Sequence, residues 1–308
     1  MLKRIVVGVR PKFTRAGIIL AAARTVSITR GIAAPVNPVN VESFTLDDAI
    51  VSKHALIHGK WIELSNELAA LSKGGQHRDI LTAVEKGFTL LRDVGAEDSP
   101  VHCEPMLLMT QAQANYNLKQ WAAATQSASR ALDLVKQGRG GDADEGRLRE
   151  IEEFIAYTQL EQGDAQDALA RFDALLAWVA SGSRKSLPMV QVVAVNMKRT
   201  LQSGKARALL LLARGGGGDT VDRRALLGQS LDLFIESLSE HVDAKDVEAT
   251  KMALDGAVLC YCALGELTKA QEACEKLTNW CRRHNDVAGL ELAATRVAEL
   301  QLLNKNDV

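Results

Sequence analysis

Small and apolar residues recur at the same helical offsets in four segments of the chain. In each segment they occupy positions i, i+4 and i+7, which lie on one face of an α-helix. The four sets are Ile80, Val84 and Gly87; Ala124, Ala128 and Ala131; Ala168, Phe172 and Leu175; and Ala270, Cys274 and Leu277. A helix with one such face needs a neighbour to cover it, so the repetition predicts an array of similar units packed side by side.

Polar and glycine-containing breaks divide the chain after residue 44 into eleven predicted helices, and no segment outside the N-terminus alternates like a strand. The first ten helices pair into five hairpins, and the last one caps the end of the array. The predicted spans are 45–71, 77–94, 101–118, 121–137, 144–161, 164–180, 187–213, 221–241, 245–264, 267–284 and 287–303. The pattern therefore predicts an all-α fold, an α–α superhelix or solenoid, over residues 42–308.

The spacing of the sets supports a regular repeat in the first half of the chain. Ile80 and Ala124 are 44 residues apart, and so are Ala124 and Ala168. Ala168 and Ala270 are 102 residues apart, which leaves room for one intervening repeat with longer helices. An aromatic content of only 4% and a total of six prolines agree with long, closely packed helices rich in Ala and Leu.

The same residues resemble tetratricopeptide repeats, which are helical hairpins with small residues at fixed positions and a glycine near the turn. The resemblance covers residues 60–285, and its period of 44 residues exceeds the usual length of about 34. The matching residues are Ala112, Trp121, Ala124 and Ala131; Ala156, Gly163, Ala168 and Phe172; and Gly265 and Ala270. The resemblance implies a scaffold for protein–protein interaction, without a catalytic site or a cofactor.

The resemblance also implies a partner-binding groove lined by the first helix of each hairpin. The corresponding positions are Met106, Met109, Gln113, Tyr116 and Asn117; Glu150, Glu153, Tyr157, Leu160 and Glu161; and Met252, Asp255, Leu259, Cys262 and Ala263. The bases that clamp chaperone C-termini in this family are missing. The acids around Tyr157 favour a basic, partly apolar helix or peptide as the ligand, with an ordinary solvated helix face as the alternative.

The first 41 residues differ from the rest because they contain seven bases and no acid, the first acid being Glu42. This composition is typical of a mitochondrial transit peptide and linker, so we expect targeting to the matrix. A secretory signal fits less well because its apolar run is short, and a basic tail on a cytosolic protein is the third interpretation. Without these seven bases, 30 basic and 38 acidic residues leave a charge near −8, which disfavours general nucleic-acid binding.

Residues capable of chemistry are few and scattered. The five cysteines lie within helical patterns, and we interpret them as small buried hydrophobes, with a zinc or disulfide site as the alternative. His54 and His58 have the i, i+4 spacing of a metal-binding pair but lack a third ligand. The four glycines at 215–218 lack the Lys-Ser/Thr of a phosphate-binding loop. The sequence therefore predicts no metal, no cofactor and no enzymatic activity.

One basic strip keeps a second function open. Lys198, Arg199, Lys205 and Arg207 lie along one predicted helix and could contact RNA, an anionic lipid or an acidic subunit. No stretch reaches the roughly 18 apolar residues of a transmembrane helix. The sequence thus predicts a non-enzymatic adaptor that serves the assembly or stability of a mitochondrial complex, with an RNA-associated factor in mitochondrial gene expression as the alternative.

Overall fold

A computed structural model describes residues 48–94, 103–138, 145–182, 188–215, 220–243 and 246–306. These ranges contain eleven helices and no strand. The helices are α1 (Asp48–Gly74), α2 (His77–Val94), α3 (Cys103–Asn117), α4 (Trp121–Lys136), α5 (Glu145–Gln162), α6 (Ala165–Gly182), α7 (Pro188–Arg214), α8 (Thr220–Asp243), α9 (Val247–Leu264), α10 (Leu267–Arg283) and α11 (Val287–Asn306). The predicted number and order of helices are confirmed, whereas the proposed leader at 1–41 lies outside the described residues.

The described residues divide into two compact units, and the boundary falls after Ile151 in α5. In the first unit, α1 packs on α2, α2 on α3, and α3 on α4. In the second unit, each helix from α6 to α11 packs on the next one, and α9 also contacts α7 and α11. Packing in chain order is the packing of an α–α solenoid, so the predicted fold class is confirmed. The single repeat domain at 42–308 stays a prediction.

Five of the tight turns share one backbone geometry, in which a single residue adopts a left-handed conformation. At the turn after α9, the Gly265 N–H donates to the Cys262 carbonyl at 3.2 Å, and the Glu266 N–H donates to the Tyr261 carbonyl at 2.9 Å. The same pair of hydrogen bonds occurs at five turns, where the left-handed residue is Gly75, Lys119, Gly163, Gly265 or Asn285. This is the Schellman motif, which satisfies the last carbonyls of a helix and starts the reversal of the chain.

The even-numbered helices repeat one buried stripe at positions i, i+4 and i+7. Five helices carry it: Ile80, Val84 and Gly87 in α2; Ala124, Ala128 and Ala131 in α4; Ala168, Phe172 and Leu175 in α6; Ser230, Phe234 and Ser237 in α8; and Ala270, Cys274 and Leu277 in α10. The stripe in α8 was missed from sequence because serine replaces the expected alanine or leucine. It lies in the interval that left room for an intervening repeat.

We expect Lys119→Gly to raise the free energy of unfolding by about 0.5–1 kcal/mol, because glycine adopts the left-handed conformation without steric cost. Lys119 has a φ of 62°. Gly163→Lys is the matched opposite change, since Gly163 has a φ of 99° and a Cβ added there would touch nothing within 4 Å. It should lower stability by about 1 kcal/mol. Chemical denaturation measures both, and a loss of stability in Lys119→Gly would contradict the assigned turn.

Candidate protein-binding face

The odd-numbered helices of the second unit contact one another and form what we call the odd-helix layer. It consists of residues 153–161 of α5, 200–207 of α7, 252–263 of α9 and 296–299 of α11. Helices α7 and α9 pack together, as do α9 and α11, and hydrogen bonds connect α5 to α7. The resemblance placed the partner-binding groove on the first helix of each hairpin. Nine of the residues predicted to line it lie in this layer, and four of those nine carry a carboxylate or a phenol hydroxyl.

Three of these four groove residues connect α5 to α7. Tyr157 is 4% exposed, and its hydroxyl donates a hydrogen bond to the carbonyl of Thr200. The Thr200 hydroxyl lies 2.9 Å from Glu153 Oε1, to which it donates. Arg207 Nη2 lies 2.7 Å from Glu161 Oε1, with side chains that are 18% and 9% exposed respectively. Two of the acids that favoured a basic ligand, Glu153 and Glu161, therefore bind groups of this chain.

Asp255 of α9, the fourth of these groove residues, forms a buried ion pair with Arg296 of α11. Arg296 Nε and Nη2 donate to the two carboxylate oxygens of Asp255 at 2.6 and 3.1 Å, and Arg296 Nη1 lies 2.9 Å from Glu299 Oε2. Burial by itself lowers the pKa of Arg296, but the hydrogen bonds and charges of Asp255 and Glu299 outweigh it and raise that pKa. The bidentate geometry sets the position of α11 on α9.

A second buried base secures the same end of the unit. Lys251 Nζ lies 2.9 Å from Glu248 and 2.8 Å from Asp286, and its side chain is 7% exposed. Burial opposes its charge, yet the hydrogen bonds to Asp286 and Glu248 raise the pKa of Lys251. Asp286 also accepts a hydrogen bond from the Gly289 N–H at 2.9 Å, which caps the start of α11. The acid thus connects the first turns of α9 and α11.

Aromatic side chains of even-numbered helices press on glycines of the odd-numbered helices that follow them. A Cβ added to Gly204 of α7 would lie 2.5 Å from the ring of Phe172, and one added to Gly256 of α9 would lie 2.4 Å from the ring of Phe234. Phe172 also packs edge-to-face on Tyr157, with ring centroids 5.1 Å apart. Sequence reasoning missed both glycines, although a glycine inside a long helix is costly and signals a close contact.

Other residues that were predicted to line the groove differ in their exposure to solvent. In the first unit, Met109 and Gln113 are half-buried on α3, Tyr116 is 3% exposed and packs edge-to-face on Trp121, and Glu150 is exposed on α5. In the second unit, α9 carries a partly exposed apolar stripe of Met252, Leu259 and Ala263. We call these three residues the α9 stripe. Leu259 and Ala263 also pack against the core cluster that contains Ala206 and Leu210, so the part of the stripe that is available to a partner is the exposed fraction of each side chain.

The predicted packing residues lie in helix–helix contacts or turns. Six of them are fully buried, with 0% exposure: Ala124, Ala128, Ala131, Ala168, Phe172 and Ala270. The other two, Gly163 and Gly265, are the left-handed residues that end α5 and α9. Burial raises the pKa of Cys103, Cys260 and Cys262 to about 11, so these thiols stay protonated at neutral pH.

The basic strip on α7 contacts acids of neighbouring helices. Lys205 lies 2.6 Å from Asp173 of α6, Lys198 lies 3.7 Å from Glu236 of α8, and Arg207 pairs with Glu161. These pairs reduce the positive potential that a phosphate backbone would meet. The described helix thus has less free basic charge than its sequence suggests, and RNA binding stays a prediction.

The described residues contain no group of three or more His, Cys, Asp or Glu side chains placed to hold a metal ion. His58 is exposed on α1, while the side chain of His54 lies outside the described part. The buried side chains of Ser203 and His241, 3.3 Å apart, connect α7 to α8. None of the described helices is long and apolar enough to cross a membrane.

No protein-family model matches this chain, and no curated protein matches its sequence.

We expect Gly204→Ala to lower the free energy of unfolding by about 1–3 kcal/mol, because the new methyl group overlaps the Phe172 ring. Gly228→Ala on α8 is the matched control, since a Cβ there meets nothing within 4 Å. The control should be neutral or stabilising by up to about 1 kcal/mol through helix propensity. Adding Phe172→Leu should reduce the effect of Gly204→Ala in a double-mutant cycle. Additive effects of the two substitutions would contradict the contact.

Proposed function

We propose that this chain is a non-enzymatic, tetratricopeptide-like adaptor whose odd-helix layer binds a segment of another protein. The observation that carries the proposal is the stripe repeated in five even-numbered helices. Because each of these helices buries its stripe against neighbouring helices, the chain consists of similar helical hairpins, and in the second unit the odd-numbered helices lie side by side. Helical arrays of this kind present extended surfaces that suit protein segments better than small molecules.

The α9 stripe favours an amphipathic helix or an extended peptide with apolar side chains as the bound segment. Met252 adapts its shape to a partner because its side chain is unbranched and polarisable, and Leu259 and Ala263 continue the apolar surface along the helix. Glu153, Glu161 and Asp255 already bind groups of this chain. We therefore propose that apolar contact, more than the basic charge expected from the sequence, determines which segment binds.

Binding is tested with the full-length tagged chain and two matched substitutions. Met252→Glu should remove proteins that copurify with the wild type, because a charge in the α9 stripe disrupts apolar contact. Ile235→Glu is the control, since Ile235 is 48% exposed on α8, outside the odd-helix layer. It should retain them, as should Met252→Leu. Crosslinking followed by mass spectrometry identifies the proteins, and thermal melts check that each variant folds.

Equal recovery by Met252→Glu and Ile235→Glu would contradict the proposed surface. Recovery of crosslinked RNA in place of proteins, with loss of the RNA on charge reversal of Lys198 and Lys205, would favour the alternative function. The two outcomes separate because the α9 stripe and the basic strip lie on different helices.

We further propose that the protein works in the mitochondrial matrix, on the support of its acid-free basic N-terminal sequence. Replacing Arg4, Arg10 and Arg15 with Glu should reduce import into isolated mitochondria at least tenfold, since the membrane potential and the import receptors favour positive charge. Protease protection of radiolabelled chain measures import, and wild-type chain in uncoupled mitochondria gives the baseline. Equal protection of the triple variant would contradict matrix targeting by this segment.

A further inference from the structure

The outward face of α11 is mostly apolar, with Glu291 exposed among its apolar side chains, whereas the exposed positions of the neighbouring helix are mostly charged. Val287, Val297 and Leu302 are 69%, 42% and 63% exposed, and Ala294, Ala298 and Gln301 are exposed beside them. We call these six residues the α11 face. On α10, by contrast, the exposed positions include Glu272, Glu275, Lys276, Arg282 and Arg283.

The opposite side of α11 is already in use. Leu292, Ala293 and Leu300 are at most 7% exposed and lie, with the Arg296 ion pair, on the side that packs against α9 and α10. A helix with apolar residues on both sides is suited to burial between two neighbours. The α11 face therefore has the composition of a surface that a further helix covers.

Residue types along α11 are arranged around Ala298 in a way that suits a second copy of the same helix. Ala294 and Leu302 stand four positions on either side of Ala298, and the sequence has Glu291 and Lys305 seven positions on either side. All five positions fall on one side of the helix, because spacings of three, four and seven return to the same face.

Two identical helices that cross antiparallel at Ala298 place each position opposite its mirror position. Leu302 then packs on Ala294 of the second copy, so that a large side chain meets a small one. Position 291 faces position 305, so an acid meets a base at both ends of the contact. Ala298 meets itself at the axis, where a small side chain permits close approach. A parallel pair would instead place Glu291 against Glu291.

We propose that the α11 face is an isologous dimer surface, on which a second copy of this chain packs its own α11 in antiparallel orientation. This self-association is independent of partner binding by the odd-helix layer. Helix α11 has 20 residues and is therefore about 30 Å long. A contact between two single helices is smaller than a standard interface of about 1,600 Å², so the dimer forms reversibly and depends on concentration.

Sedimentation velocity of the full chain between about 1 and 100 µM tests the association, since a small interface dissociates in this range. We expect a reversible monomer–dimer equilibrium. Ala298→Glu should raise the dissociation constant at least tenfold, because the two introduced charges meet at the axis. Ala177→Glu, the same change at an exposed alanine of α6, should leave it unchanged. A monomer at every concentration, or assembly beyond the dimer, would overturn the proposal.

The antiparallel register is tested by exchanging charges. Glu291→Lys and Lys305→Glu should each weaken the dimer several-fold, because each creates two like-charged contacts, and the double variant should restore wild-type association. Failure of the double variant to recover association beyond either single variant would overturn this register. Circular dichroism melts of all variants verify that the fold is unchanged.

Discussion

The second unit depends on close contact between even-numbered helices and the odd-numbered helices that follow them, at α6 with α7 and at α8 with α9. The contact is possible because the paired positions leave room for one another. The rings of Phe172 and Phe234 occupy the space that a Cβ would need at Gly204 and Gly256. A Cβ at these positions would lie only 2.5 and 2.4 Å from the nearest ring atoms. A buried phenylalanine contributes about 2–3 kcal/mol through removal of apolar surface from water. Each contact of this kind therefore stabilises a hairpin junction and also fixes its spacing, because interiors are too densely packed to shift.

A second set of interactions connects odd-numbered helices to each other and decides which side chains remain for a partner. Arg296 and Asp255 are 41 residues apart in sequence and form a bidentate, buried pair. Removal of one member of such a pair leaves an uncompensated buried charge and costs about 3–5 kcal/mol. Arg207 and Glu161 form a comparable connection from α7 to α5. Because these acids already have partners within the chain, the proposed recognition of a protein segment by the odd-helix layer rests on the apolar α9 stripe.

The spacing of apolar and small residues was enough to predict the helices. It did not show which side chains of different helices contact one another. Ala168, Phe172 and Ala270 could be predicted as packing residues because small and apolar side chains at helical spacing indicate a buried helix face. Ser230 and Ser237 could not, because serine is common on solvated faces, and only the structure places them at 0% exposure. Tyr157 was predicted to face an open groove, yet its hydroxyl reaches the Thr200 carbonyl, 43 residues away. Such pairings depend on how the helices are placed relative to one another, and the residue pattern within a single helix carries no information about that placement.

Hydrogen–deuterium exchange of the full chain, with and without a copurified protein, shows which set of helices binds that protein. We expect exchange to slow mainly in the odd-helix layer, above all in α9 from Val247 to Leu264, and to stay unchanged in α8 and α10. Slowing confined to α8 and α10, whose stripes are buried in the array, would place the partner on the other set of helices. That result would contradict a division of roles in which the stripes hold the helices together and the odd-numbered helices bind the partner.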